Sequence, residues 1–189
     1  MSEPLPRYRR EDGSWLIEIE LRRVSQLFNS FDPSPFHERD LDDDAETWIV
    51  GAARELPLGA PLKLVLHLPA TELTIEAEEQ VRSALSSYFT DRAAMRARDL
   101  SYLFHRGRIA LVIGLAFLTA CLVSRGLLIR FGAQGWPEIA SEGLLIVGWV
   151  AMWRPLEIFL YDWWPLRRMV LLNRKLAAMP IELRARQDR

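Results

Sequence analysis

Along the chain the hydrophobic pattern changes period four times. From Trp15 to Leu21 apolar and polar residues alternate, with Trp15, Ile17, Ile19 and Leu21 on one side and Glu18 and Glu20 on the other, the pattern of a half-buried strand. Leu62 to Leu68 repeats it, with Leu62, Leu64, Leu66 and Leu68 set against Lys63 and His67. Between these runs Ala45, Trp48, Ile49, Ala52, Ala53 and Leu56 recur at helical spacing. Asp43 followed by Glu46 reads as a capped start for that helix, and Pro57 and Gly59 end it. Ala77, Val81, Ala84, Leu85 and Tyr88 then line one face of a second helix that begins near Thr71 or Thr74. No proline or glycine interrupts it before Gly107, so it continues as a stalk.

Next comes an apolar run on all faces. Ile109 to Ile129 covers 21 residues, which as a helix reaches about 31 Å, close to the roughly 30 Å of a bilayer hydrocarbon core. A second apolar segment, Gly143 to Tyr161, is broken by Arg154, Pro155 and Glu157. Its Leu, Ile, Val and Phe residues contribute roughly −4 kcal/mol on insertion scales, and one central charge costs about 3 kcal/mol. Shelter from the first span and pairing of Arg154 with Glu157, three apart on one face, make the segment insertable. Leu166 to Ala178 reads as a final helix.

The expected fold class is therefore a membrane α-helical hairpin of two transmembrane helices carrying a small α+β N-terminal domain, in the order strand, helix, strand, long helix. Its divisions are a small α/β domain at 1–73, an amphipathic helix and stalk at 74–108, the first span at 109–131, an external turn at 132–142, the second span at 143–164 and a basic helical tail at 165–189. The connection between the strands suits a right-handed parallel crossover. Two strands are few for a sheet. A short strand near Tyr8, turning at Asp12-Gly13, or a partner would have to supplement them.

Charge gives the orientation. Residues 1–90 hold 17 acidic and 9 basic side chains, a net of −8; residues 91–189 hold 8 acidic and 15 basic, a net of +7. The basic half is also the apolar half, which excludes a nucleic-acid partner and suits a membrane protein. Arg92, Arg96, Arg98, Arg106 and Arg108 precede the first span, and Arg167, Arg168, Arg174 and Lys175 follow the second. The positive-inside rule then puts both termini in the cytoplasm. Trp136 marks the outer boundary, and Tyr161, Trp163 and Trp164 mark the inner one. Asp162 is expected to pair with Arg106 or Arg108 across the hairpin. The first 30 residues carry no apolar signal-peptide core, which leaves targeting to the later spans. Cys121 is the single cysteine, so neither a disulfide within the chain nor a thiol cluster for zinc is available.

No catalytic or cofactor motif stands out, and no cofactor is expected. The densest run of unusual residues is Phe31 to Asp44. Three readings compete for it: a proline-stiffened loop whose acids suit the dipole of the next helix, a docking loop presenting Phe31, Phe36 and His37 to a partner, and a metal site on His37, Asp40 and Asp42. The spacing matches no calcium loop. The intramembrane polar residues Arg154 and Glu157 suggest a structural ion pair, contact with another membrane subunit, or a conducting or proton path. The leading functional expectation is a membrane-anchored interaction or scaffold protein in contact with lipid, presenting its acidic domain to a protein partner or to further copies of itself. Beside it stand an accessory subunit of a channel or transporter assembly using Arg154 and Glu157, and a membrane-tethered metal-dependent hydrolase.

Leu27 to Phe36 (LFNSFDPSPF) together with Trp149 to Pro165 (WVAMWRPLEIFLYDWWP) resembles a family of uncharacterised bacterial two-span membrane proteins. The resemblance covers most of the chain. It implies the bacterial cytoplasmic (inner) membrane and carries no catalytic residue with it.

Overall fold

The computed structural model of the chain describes residues 8–29, 40–131 and 135–186. It is mostly helical, with a small sheet and two long apolar helices. The chain divides into two compact units, residues 1–95 with 169–189 and residues 96–168.

In the first unit, strand β1 (Arg10–Glu11) turns at Asp12 and Gly13, both at positive φ, into strand β2 (Ser14–Glu20). Helix α1 (Asp43–Glu55) and strand β3 (Leu62–Leu68) follow. Asp42 caps α1, accepting from the Asp44 N–H at 3.0 Å, one residue earlier than the Asp43 start read from the sequence. β2 and β3 pair in parallel, with Ile17 beside Leu64 and Ile19 beside Leu66.

From β3 the chain enters helix α2 (Ile75–Phe131), 57 residues long. Thr74 caps it, its hydroxyl accepting from the Ala77 N–H at 3.1 Å. The return path is helix α3 (Trp136–Ala151), helix α4 (Trp153–Glu157), a π-helical turn (Ile158–Asp162) and helix α5 (Trp163–Ala177). Most of the expected 132–142 turn is therefore helix, since α3 begins at Trp136.

The larger correction concerns the tail. Residues 165–189 are not wholly helical: Ile181–Ala185 form strand β4, which pairs in parallel with β3 and completes a sheet of order β1-β2-β3-β4. The first three strands thus come from residues 10–68 and the fourth from the tail. One face of the sheet, with Ile17, Leu64, Leu66 and Ile181, joins Ile49 and Ala53 of α1, Val81, Leu85 and Phe89 of α2 and Leu172 and Leu176 of α5 in one core. Leu66 and Phe89 are fully buried, each worth about 1.5–3 kcal/mol.

The opposite face carries Glu18, Glu20, Lys63, His67, Glu182 and Arg184 by strand alternation. Arg184 reaches Glu11 at 2.6 Å and Glu182 at 2.6 Å, Arg186 reaches Glu20 at 2.7 Å, and Lys63 pairs with Glu182. His67, isolated in the sequence, lies 3.1 Å from Glu18. Arg184 and Arg186 of the tail are therefore spent on acids of their own unit.

Candidate functional site

Arg154, Glu157 and Asp162 form a charged cluster on the second apolar helix of the second unit. Arg154 and Glu157, three apart on α4, meet at 2.8 Å. Asp162 is eight residues beyond Arg154. In an unbroken α-helix it would sit about 80° away round the axis. The π turn at Ile158–Asp162 takes up an additional residue and cancels most of that rotation. Asp162 Oδ2 thereby comes to 3.7 Å from Arg154 Nη1. Asp162 thus belongs with Arg154, not with Arg106 or Arg108 as its sequence position suggested. The Trp163 indole N–H donates to the Phe159 carbonyl at 3.0 Å and so staples the turn. Two carboxylates around one guanidinium leave the cluster with one excess negative charge. Arg154 and Glu157 are 56 % and 40 % exposed, so neither is sealed inside the helix pair.

Beside this cluster the two apolar helices meet along a seam of small residues. Gly107, Gly114 and Cys121, seven apart on α2, are all buried, and a seven-residue repeat keeps one stripe of a helix facing its partner. A β-carbon at Gly107 would stand 2.9 Å from Ile158 Cγ2, and one at Gly114 would stand 3.1 Å from the Ala151 carbonyl oxygen. Leu118 and Arg125 extend the stripe. Among the described residues the buried Nε of Arg125 has no hydrogen-bond partner. Arg125 passes unnoticed in the sequence, because the apolar residues around it satisfy the length of a span. The signal that could have found it is its place four residues after Cys121 in the 107–114–121 repeat.

Within the first unit the closest polar constellation is Glu46, Tyr88 and Arg92. The Tyr88 hydroxyl donates to Glu46 Oε2 at 2.7 Å and accepts from Arg92 Nη2 at 2.7 Å, and Arg92 Nη2 donates to Glu46 Oε2 at 2.8 Å. Burial and then the hydrogen bond to Glu46 hold the Tyr88 phenol well above its ordinary value. For Arg92, burial opposes the charge, but the bonds and charges of Tyr88 and Glu46 outweigh it and raise the guanidinium. This triangle ties the first turn of α1 to α2. Its phenol is held protonated, which makes it a clamp rather than a base.

Phe31, Phe36 and His37 lie outside the described residues. Asp42 is committed to the cap of α1. The Asp40 carbonyl accepts from the Asn29 N–H at 2.8 Å. Among the described residues no group of three or more His, Cys, Asp and Glu side chains is gathered to hold a metal. No protein-family model, no curated protein and no solved structure matches the chain.

Proposed function

We propose that the chain is a membrane-anchored interaction protein of the bacterial cytoplasmic membrane, in which a two-span hairpin holds a cytoplasmic α/β unit where it meets a protein partner. The observation that carries the reading is the pairing of β3 with β4. Two strands of one sheet lie on the same side of any bilayer, so the chain between them crosses an even number of times. That stretch contains the two helices long and apolar enough to cross. Large apolar side chains are exposed along both, among them Val112, Ile113, Val123, Ile146, Trp149 and Trp153, as a lipid solvent allows. The arginines flanking both apolar segments favour the cytoplasm for the α/β unit, and the resemblance read from the sequence favours a bacterial membrane. The cation-poor turn falls outside.

The anchoring half is tested with single cysteines in a Cys121→Ser background. A membrane-impermeant maleimide should label Glu138→Cys in intact cells and Glu79→Cys only after permeabilisation. The reverse pattern rejects the orientation, and extraction of the protein by alkaline carbonate rejects insertion. For the interaction half, the full chain is extracted in mild detergent and the intact complex weighed. A stoichiometric partner that crosslinks to the α/β unit is the expected result. A chain that runs alone from its native membrane counts against this half.

The exposed Arg154–Glu157–Asp162 cluster favours a second reading, an accessory subunit that meets another membrane protein through this face. On that reading Arg154→Leu abolishes assembly or flux while insertion and protein level persist, and unchanged assembly and flux remove it.

A further inference from the structure

On the second unit an open groove of about 520 Å³ is lined by Ala97, Leu100, Ser101, Phe104, Arg108 and Phe159. Its walls are aromatic: Phe104 stacks on Phe159 with centroids 6.2 Å apart and meets Trp163 at 6.4 Å. Phe159 comes from the π turn, whose widened backbone sets it against Gly107, where its Cζ would lie 3.2 Å from a β-carbon. At one end stands Arg108, exposed and with no ion pair among the described residues. It is the last charge before the apolar run that opens at Ile109. Ser101, seven residues earlier on the same face, stands about 10 Å away along the axis.

The surroundings are cationic. Residues 96–108 and 154–168 carry seven arginines against Asp99, Glu157 and Asp162, a net of +4 with histidine neutral. Arg167 lies over the Trp163 ring at 5.5 Å. The Trp163 and Trp164 rings lie 5.4 Å apart beside it, and indole rings favour bilayer interfaces.

We propose that this groove holds the headgroup of one anionic glycerophospholipid, with its phosphate on Arg108 and its headgroup carbons on Phe104 and Phe159. The proposal rests on the membrane reading above. Charge complementarity selects an anion. A small soluble anion would gain nothing from the aromatic walls, whereas a lipid phosphate at Arg108 leaves its acyl chains in the hydrocarbon beside Ile109 and its headgroup in the groove. Ser101 adds a hydroxyl to the groove wall, a group that can bond a headgroup hydroxyl.

The test uses the full chain in nanodiscs of equimolar phosphatidylglycerol and phosphatidylethanolamine, with retained lipid counted by native mass spectrometry. One phosphatidylglycerol should be retained over phosphatidylethanolamine by about fivefold, the ratio one arginine commands at an anionic surface. Arg108→Gln should bring that ratio to one and Arg108→Lys should keep most of it. Phe104→Ala should lose the retained lipid, and Arg98→Gln, outside the groove, should change nothing. Equal loss in Arg98→Gln and Arg108→Gln would mean a diffuse basic collar and overturn the site. So would a ratio of one in the unaltered chain, or displacement of the adduct by millimolar inorganic phosphate, which would identify a soluble-anion site. Carbonate extraction of the same protein reports separately on the membrane reading.

Discussion

Gly148 of α3 faces Cys121 of α2 so closely that a β-carbon on the glycine would stand 3.2 Å from Cys121 Cβ and 2.9 Å from Leu118 Cδ1. Glycine is required there by space and not by backbone angle, since no positive φ occurs at this position. Gly148→Leu should overpack the seam and cost about 1–3 kcal/mol. Because Cys121 is buried and is the single cysteine, its rate of maleimide labelling in detergent reports directly on separation of the pair. We expect faster labelling in Gly148→Leu. Gly126→Ala, where a β-carbon meets nothing within 4 Å, should leave the rate unchanged and gain up to about 1 kcal/mol of helix propensity. Equal labelling of both variants would contradict the seam.

Residues 1–95 lack the last strand of their own sheet, and β3 then exposes a long apolar edge. Expressed alone they should aggregate or resist concentration. Joined by a flexible linker to residues 169–189, they should give a soluble, protease-resistant domain without either apolar helix. Hydrogen exchange should show Leu64, whose N–H donates to the Pro180 carbonyl, protected only in the joined chain. Full protection of 1–95 by itself would show that β4 adds little.

The Glu46–Tyr88–Arg92 triangle predicts a pH window. Folding raises the Tyr88 phenol above its ordinary value of 10.0, so the native state favours the protonated form. That contribution is complete below pH 10.0 and is lost as pH climbs toward the raised folded value. Tyr88→Phe should cost about 1 kcal/mol at neutral pH. The gap between variant and parent, followed by denaturant melts, should narrow as pH rises past 10.0. A gap that widens would mean the phenol is not held by the carboxylate.

At acid pH the opposite sign applies to Glu182. Hydrogen bonds from Arg184 and then from Lys63 pull its carboxyl down to about 2 from 4.5. The stability it contributes is present above pH 4.5 and lost as pH falls through about 2. Because Glu182 is partly exposed, solvent screening holds that contribution to about 1 kcal/mol or less. Glu182→Gln should therefore lie slightly below the parent at pH 7 and merge with it in strong acid. No merging would place the acid sensitivity elsewhere in the sheet.

Local pattern carried part of this fold and could not carry the rest. The alternation at Trp15–Leu21 reads as a strand, and the structure has one at Ser14–Glu20. Ile181, Leu183 and Ala185 alternate with Glu182 and Arg184 in the same way. Yet five residues in a basic tail do not reveal a partner that lies 112 residues upstream of them, across residues 69–180. The π turn has no signature in its composition, because Ile158 to Asp162 would serve equally in an α-helix. Its trace is the contact of Arg154 with a residue eight positions away. The seam went unread although Gly107, Gly114 and Cys121 stand seven apart, because the apolar bulk of the same helix hid the stripe and Arg125 with it. The pairing of Arg154 with Glu157 was legible because it needs one turn of helix and nothing else.

The pairing of β3 with β4 also sets the order in which the molecule can be made. At about 5–20 residues per second the ribosome needs roughly 6–20 s to add residues 69–180, and β3 waits throughout with one edge open. On the membrane reading, both apolar helices must be threaded before the waiting edge is filled, and a chain that threads only one would deliver Ile181–Ala185 to the wrong compartment. Completion of the cytoplasmic sheet would then be a receipt for correct insertion: a protease or chaperone that inspects β3 would learn from it whether the hairpin had gone in.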